Sequence, residues 1–206
     1  MKYLLFAAIS FIALLLGLCS QKTDGAPSQG ATDPKENQPQ GQVQEREFLK
    51  LPLRDPRIVV WKSKRQLELY SNGIVVRTYR IGLGLNPVAD KQKEGDRATP
   101  EGDFYIFVKN PKSNYYLSLG ISYPNVEDAE RGLREGLITQ AQHDAIVKAI
   151  RNKTAPPQNT ALGGLIYIHG HGSGSDWTWG CVALENEDIS EMYKSVEKGT
   201  PVTIKP

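Results

Sequence analysis

Cysteine and histidine are scarce: the 206-residue chain holds two cysteines and three histidines. Cys19 is the one residue that could pair with Cys181, so a network of disulfides is excluded. Charge of one sign is scarce too. Lys and Arg number 25 against 23 Asp and Glu, a formal net charge of +2. No block of like charges stands behind that figure, which argues against a nucleic-acid partner. Long apolar runs are confined to the first residues, and no second run of that length follows Leu18.

That one run reads MKYLLFAAISFIALLLGLCS, apolar from Leu4 to Leu18 except for Ser10. It is at the upper end of a signal-peptide core and short of the roughly 20 residues a spanning helix needs. Residues 1–19 are therefore read as a signal peptide and the chain as exported, with an N-terminal anchor helix as the alternative. Cys19 closes the run after Leu16-Gly17-Leu18, which resembles a bacterial lipoprotein signal with Cys19 as the lipidated residue. Leu18 departs from the Gly, Ala or Ser usual there, and ordinary cleavage near Ala26 is the competing reading. A diacylglycerol plus an N-acyl group would anchor the chain stably.

Residues 20–47 offer Gln, Pro, Gly, Ser and charge but almost no large apolar side chain. Such a stretch cannot offset its chain entropy by burial, and it is read as a flexible linker. The folded domain is then expected over 48–206, about 160 residues, enough for one core. Export leaves Cys181 a lone thiol in an oxidising compartment. That is a liability unless the thiol has a task or is deeply buried.

Within the domain, RIVVWKSKRQLELYSNGIVVRTYRIGLG (57–84) alternates apolar and polar residues around a polar break and an SNG turn, predicting a β-meander. DFYIFVK, GLIYIHG and GTPVTIKP predict further strands. In GLIYIHG, Ile166 and Ile168 face one way, and Leu165, Tyr167 and His169 the other. Residues 122–153 read instead as a helical hairpin: Val126, Ala129 and Leu133 recur at helical spacing, and Thr139 with Gln142 makes a capping box. His143, beside Asp144 on the second helix, reads as a surface histidine. A short helix is expected to start near Asn186 or Glu187. The fold class is mainly β (α+β).

IYIHGHGSGSDWTWGCVAL (166–184) gathers two histidines and Cys181 around a glycine-rich loop. His169 leaves a strand, and Cys181 precedes a short helix whose N-terminus would lower a thiol pKa. A neighbouring imidazole could take the thiol proton, and backbone N–H groups near Cys181 could face an oxyanion. Three other readings stay open at this point. Cys181 can be a small buried hydrophobe; His169, His171, Asp176 and Cys181 can ligate zinc, although their spacing matches no standard module; and the histidines can cap loop carbonyls.

The run I-x-I-H-G…T-x-G-C-V resembles the signature of the L,D-transpeptidase catalytic domain family (YkuD type), exported bacterial enzymes of peptidoglycan. Three stretches agree in the same order: the first hairpin (K-x-x-x-x-L-x-L-Y), IGLGLNPVADKQKEGDRATPEGDFYI, and YYLSLGISYPN, which resembles the YafK-like branch. The resemblance covers residues 57–204. It implies an L,D-transpeptidase-like β-sandwich or barrel with an inserted helical hairpin.

It further implies Cys181 as nucleophile, His169 as general base, Gly170 as the carbonyl that orients the imidazole, and Gly180 with Cys181 as oxyanion donors. Thr178 occupies the family's Ser/Thr position; Trp177 and Trp179 are expected as an apolar or stacking wall at the substrate, with core packing as the alternative, and His171 and Asp176 are expected beside it. Two positions depart: Trp179 stands where His is frequent and Ala183 where Arg or Asn is, so a donor contact of that Arg is missing. No metal or other cofactor is implied. The partners implied are peptidoglycan stem peptides and a wall-attached lipoprotein, in the bacterial cell envelope, with membrane contact only through a lipid anchor. The reaction implied is transfer of an acyl-peptide to an amine. Hydrolysis of the same bond class, which detaches proteins from the wall in the YafK-like branch, and a binding module without turnover are the alternatives.

Overall fold

The computed structural model describes Glu47 and residues 49–206. The signal segment, Cys19 and nearly all of the expected linker lie outside the described residues.

β1 (Arg57–Trp61), β2 (Gln66–Ser71) and β3 (Ile74–Arg80) form the meander. Their alternation sends Ile58, Val60, Leu67 and Leu69 into the core while their neighbours point outward. β4 (Gly102–Ser113) and β5 (Tyr116–Ile121) form a second hairpin. α1 (Val126–Arg134) and α2 (Gln140–Arg151) follow, then β6 (Tyr167–His169), β7 (Val182–Ala183), α3 (Asn186–Ser195) and β8 (Pro201–Lys205). The strands make one sheet in the order β3-β2-β1-β8-β4-β5-β6-β7. The last strand therefore lies in the middle, parallel to β1 and antiparallel to β4, and splices the two hairpin halves together.

The sheet curls until its two edges meet. Gly82 and Ala183 exchange both backbone hydrogen bonds, at 2.9 and 2.8 Å. Leu83 and Leu85 then bracket Thr178, at 3.1 and 3.0 Å. Closure needs Gly84: a Cβ there would lie 2.1 Å from the Arg97 carbonyl oxygen. By meeting, the edges satisfy backbone groups that an open sheet would expose.

The helical hairpin stands on a small core of its own, Ala129, Ile138, Ile146 and Leu162. Full burial of each large aliphatic side chain is worth about 1.5–3 kcal/mol. Both helices start with capping boxes, Asn125 with Asp128 and Thr139 with Gln142. The hairpin is tied to the body by Arg131, which donates to the carbonyls of Lys91 and Gln92.

Two buried lysines fix the long connection from β3 to β4. Lys62 Nζ donates to the carbonyls of Ala89 and Thr99 and to Glu101 Oε1, at 2.7, 3.0 and 2.8 Å, so all three of its protons are used. Lys91 Nζ bonds Asp96 Oδ1 and the Lys93 carbonyl. Asp96 also accepts from the N–H groups of Gln92, Lys93 and Ala98; burial works to raise its pKa, but these donors together with Lys91 hold the carboxyl below the usual carboxylate range.

Candidate active site

β6 delivers His169. Ile166 and Ile168 enter the core, which turns Tyr167 and His169 to the other face. β6 pairs in parallel with β7, Ile168 with Val182 and His169 with Ala183, so Cys181 stands next to Tyr167 at the start of β7. The Tyr167 N–H donates to Cys181 Sγ at 3.4 Å, and the thiol faces the Leu165 carbonyl at 3.6 Å.

The loop between them doubles back through a hydroxyl staple. Thr178 Oγ1 donates to the Cys181 carbonyl at 2.7 Å and accepts the Gly180 N–H at 3.1 Å. Gly180 adopts φ +126°, and a Cβ there would lie 2.7 Å from the Ala98 carbonyl oxygen. Only glycine meets both conditions.

The imidazole of His169 is buried and held on three sides. Nδ1 lies 2.7 Å from the Gly170 carbonyl oxygen. A carbonyl only accepts, so this contact assigns the proton to Nδ1 and leaves Nε2 with its lone pair in the neutral ring. Tyr115 stacks on the ring at 4.6 Å, and Trp177 meets it edge-on at 5.5 Å. The Gly170 N–H donates to the Tyr115 carbonyl, so one residue orients the imidazole and anchors the β4–β5 turn. Burial lowers the His169 pKa, the Gly170 contact opposes this, and the charge of His171 adds to the lowering.

The electrostatics of Cys181 correct the expectation from sequence. α3 begins at Asn186, with β7 between it and the cysteine, so Cys181 does not sit at the N-terminus of that helix. Burial instead pushes the thiol up to about 11, against the Tyr167 N–H and the charge of Lys91. At neutral pH the pair is therefore a thiol beside a neutral imidazole.

Two pockets reach Cys181 and share Leu165. One, about 320 Å³, is lined by His169, Tyr115, Tyr167, Ser118 and Lys112. The other, about 350 Å³, is lined by Lys91, Glu94, Thr160, Ile166 and Trp179.

The remaining expected site residues divide. Gly170 sits against the imidazole and Trp179 on the second pocket, where its ring lies under the Arg97 guanidinium at 4.8 Å. The Gly180 N–H donates to Thr178 Oγ1, whereas the Cys181 N–H donates to no group among the described residues. Thr178 is buried and occupied by its staple, not open to substrate. Asp176 is committed to Arg65, with a closest contact of 2.8 Å, and to the Leu83 N–H. Trp177 donates to the Gly172 carbonyl and props His169. His171 lines neither pocket at the thiol; it opens onto the far side of Tyr115 and Trp177. The four donors of the zinc alternative do not assemble, and no group of three His, Cys, Asp or Glu side chains suited to a metal occurs among the described residues. Ala183 is fully buried against Gly82, which leaves no room for an arginine.

Sequence reasoning missed Tyr115, Lys91, Glu94 and Lys112. The paired tyrosines before LSLG were the available signal for the first; nothing local marks the other three.

The model of the L,D-transpeptidase catalytic domain (YkuD) matches residues 55–204. The YafK protein of Escherichia coli (strain K12) is 26% identical over 146 residues, which are 68% of this chain and 46% of that protein. The chain thus spans about half the length of the curated relatives it matches. Among solved structures, the helical cell shape determining protein Pgp2 of Campylobacter jejuni is 25% identical, covering 73% of this chain and 47% of that chain, with a TM-score of 0.47. Bd1075 of Bdellovibrio bacteriovorus is 22% identical over 74% of this chain and 48% of that chain, also at 0.47.

Proposed function

The chain belongs to the L,D-transpeptidase catalytic-domain family, and from that premise we propose that it is a cysteine acyltransferase of peptidoglycan stem peptides. The observation that carries this reading is the fixed imidazole: Nδ1 is tied to the Gly170 carbonyl in a pocket that His169 shares with Cys181.

Cys181 Sγ attacks the amide carbonyl between the third and fourth stem residues as its proton passes to His169 Nε2. The oxyanion that forms is met by the Cys181 N–H. On collapse the C–N bond breaks, His169 returns the proton to the departing amine, and a thioester remains on Cys181. An acceptor amine then attacks the thioester, gives its proton to His169 and restores the thiol. The resting pair starts neutral, so proton transfer is coupled to attack and no stored thiolate is exposed to oxidation. Water in place of the amine would make the enzyme a hydrolase with the same residues.

In the same reading the chain is exported to the cell envelope, Cys19 is the lipidation site, and a wall-attached lipoprotein is a candidate partner. The test is intact mass after incubation with tetrapeptide-stem muropeptides, beside Cys181→Ala. An acyl adduct on the wild type alone is expected, followed by crosslinked dimer for transfer or by trimmed tripeptide for hydrolysis. Absence of any adduct while substrate binds would leave a binding module.

A further inference from the structure

The two pockets at Cys181 carry opposite unpaired charges. In the second pocket Lys91 is consumed by Asp96 and the Lys93 carbonyl. Glu94 also lines it, and its carboxylate makes no hydrogen bond or ion pair among the described residues. It lies beside Gly163, where a Cβ would come within 2.4 Å of Glu94 Oε2, so the loop after α2 is shaped to leave that carboxylate room. In the His169 pocket the charge is reversed. Lys112 is exposed, its ammonium has no partner among the described residues, and no carboxylate lines the pocket.

Proton transfer decides which part of a substrate enters which pocket. The departing amine must take its proton from His169, and the attacking amine must give its proton to the same group. Both therefore occupy the pocket that His169 lines. The acylated residue has to extend the other way, past Leu165, into the pocket of Glu94.

We propose that Glu94 and Lys112 are specificity-determining residues that orient the acyl donor. Glu94 receives a side-chain ammonium on the acylated third residue, and Lys112 receives the free carboxylate of the departing fourth residue. This rests on the acyl-transfer reading and deepens it. Complementary charge at both ends sets direction: a peptide bound in reverse would put ammonium on Lys112 and carboxylate on Glu94. The cation that Ala183 cannot provide comes from the β4–β5 hairpin.

The test uses the full chain carrying Cys181→Ala, titrated calorimetrically with tetrapeptides that have lysine or norleucine at the third residue and a C-terminal carboxylate or amide. Lysine is expected to bind about 5-fold tighter than norleucine, the scale of one accessible ion pair. Glu94→Gln should abolish that ratio and Glu94→Lys should invert it. Lys112→Ala should abolish a carboxylate-over-amide preference of about the same size and leave the lysine ratio alone. Thermal melts of Glu94→Gln should match its parent, since the side chain holds nothing in place. A lysine ratio that survives Glu94→Gln, or no binding of any peptide, overturns the proposal. Adduct formation on the Cys181-bearing protein separately judges the acyl-transfer reading: binding ratios as expected with no adduct would sink that reading and leave the electrostatic one standing.

Discussion

On the His169 side of Cys181 the imidazole is fixed at every point but Nε2: Nδ1 by the Gly170 carbonyl, whose own residue donates its N–H to the Tyr115 carbonyl, and the ring by Tyr115 stacked on it and Trp177 edge-on. On the Glu94 side the commitment lies one layer deeper. Lys91 and Asp96 are locked together beneath the surface, while the Glu94 carboxylate above them stays unpaired among the described residues. The contrast follows from what each wall must do. Proton transfer needs one tautomer in one orientation, so its group is immobilised. Recognition needs a charge that a ligand can complete, so its group is left open and only its support is rigid.

Breaking the first wall should have the largest effect. His169→Gln removes the base and is expected to lower the acylation rate by about 10³-fold, as loss of a general base does, with the fold intact. Stopped-flow mass analysis of the adduct would show it; a loss under tenfold would mean that another group moves the proton. Breaking the support of the second wall should cost stability instead. Lys91→Met leaves the Asp96 carboxylate buried without its cation and should destabilise by about 3 kcal/mol in urea unfolding. Glu94→Gln should stay within about 0.5 kcal/mol of wild type. Equal losses for the two would erase the distinction between support and recognising group.

The smallest effect is in pH. The folded His169 resists protonation, so its contribution to stability is present above the unfolded histidine value of ~6.5 and is lost as pH falls below it. Asp128, in the first turn of α1, works in the opposite sense. Burial raises its pKa to about 6, so the folded state takes up a proton there before the unfolded chain does, and this offsets part of the loss. Melting temperature should fall more steeply between pH 7 and 5 in Asp128→Asn than in wild type, and less steeply in His169→Gln. Parallel curves for all three would show that neither group titrates as described.

Much of the fold was legible because its signals are local. The alternation of Ile58, Val60, Leu67 and Leu69, the capping box of Thr139 and Gln142, and the α3 start at Asn186 are each set by neighbours within a few residues. β5 was not read as a strand: Leu119, Gly120 and Ile121 are all buried, so both faces are covered and the alternation fades. At the site, His169, Cys181 and Gly170 could be picked out by residue type and order. The contacts of Thr178, Asp176 and the Gly180 N–H were not legible, because each has a partner that spacing does not reveal. Arg65 is 111 positions from Asp176.

The sequence by itself determined the strands, the helical hairpin and the pairing of one histidine with one cysteine at the mouth of a loop, since these depend on periodicity and on the chemistry of single side chains. Only the tertiary structure decided that Cys181 lies outside the first turn of α3 with its thiol pushed up, that Tyr115 stacks on His169, and that Glu94 and Lys112 line two separate pockets that both reach the thiol. Those outcomes depend on burial and on contacts across the closed sheet, where segments 15 to 111 residues apart share the same few ångströms.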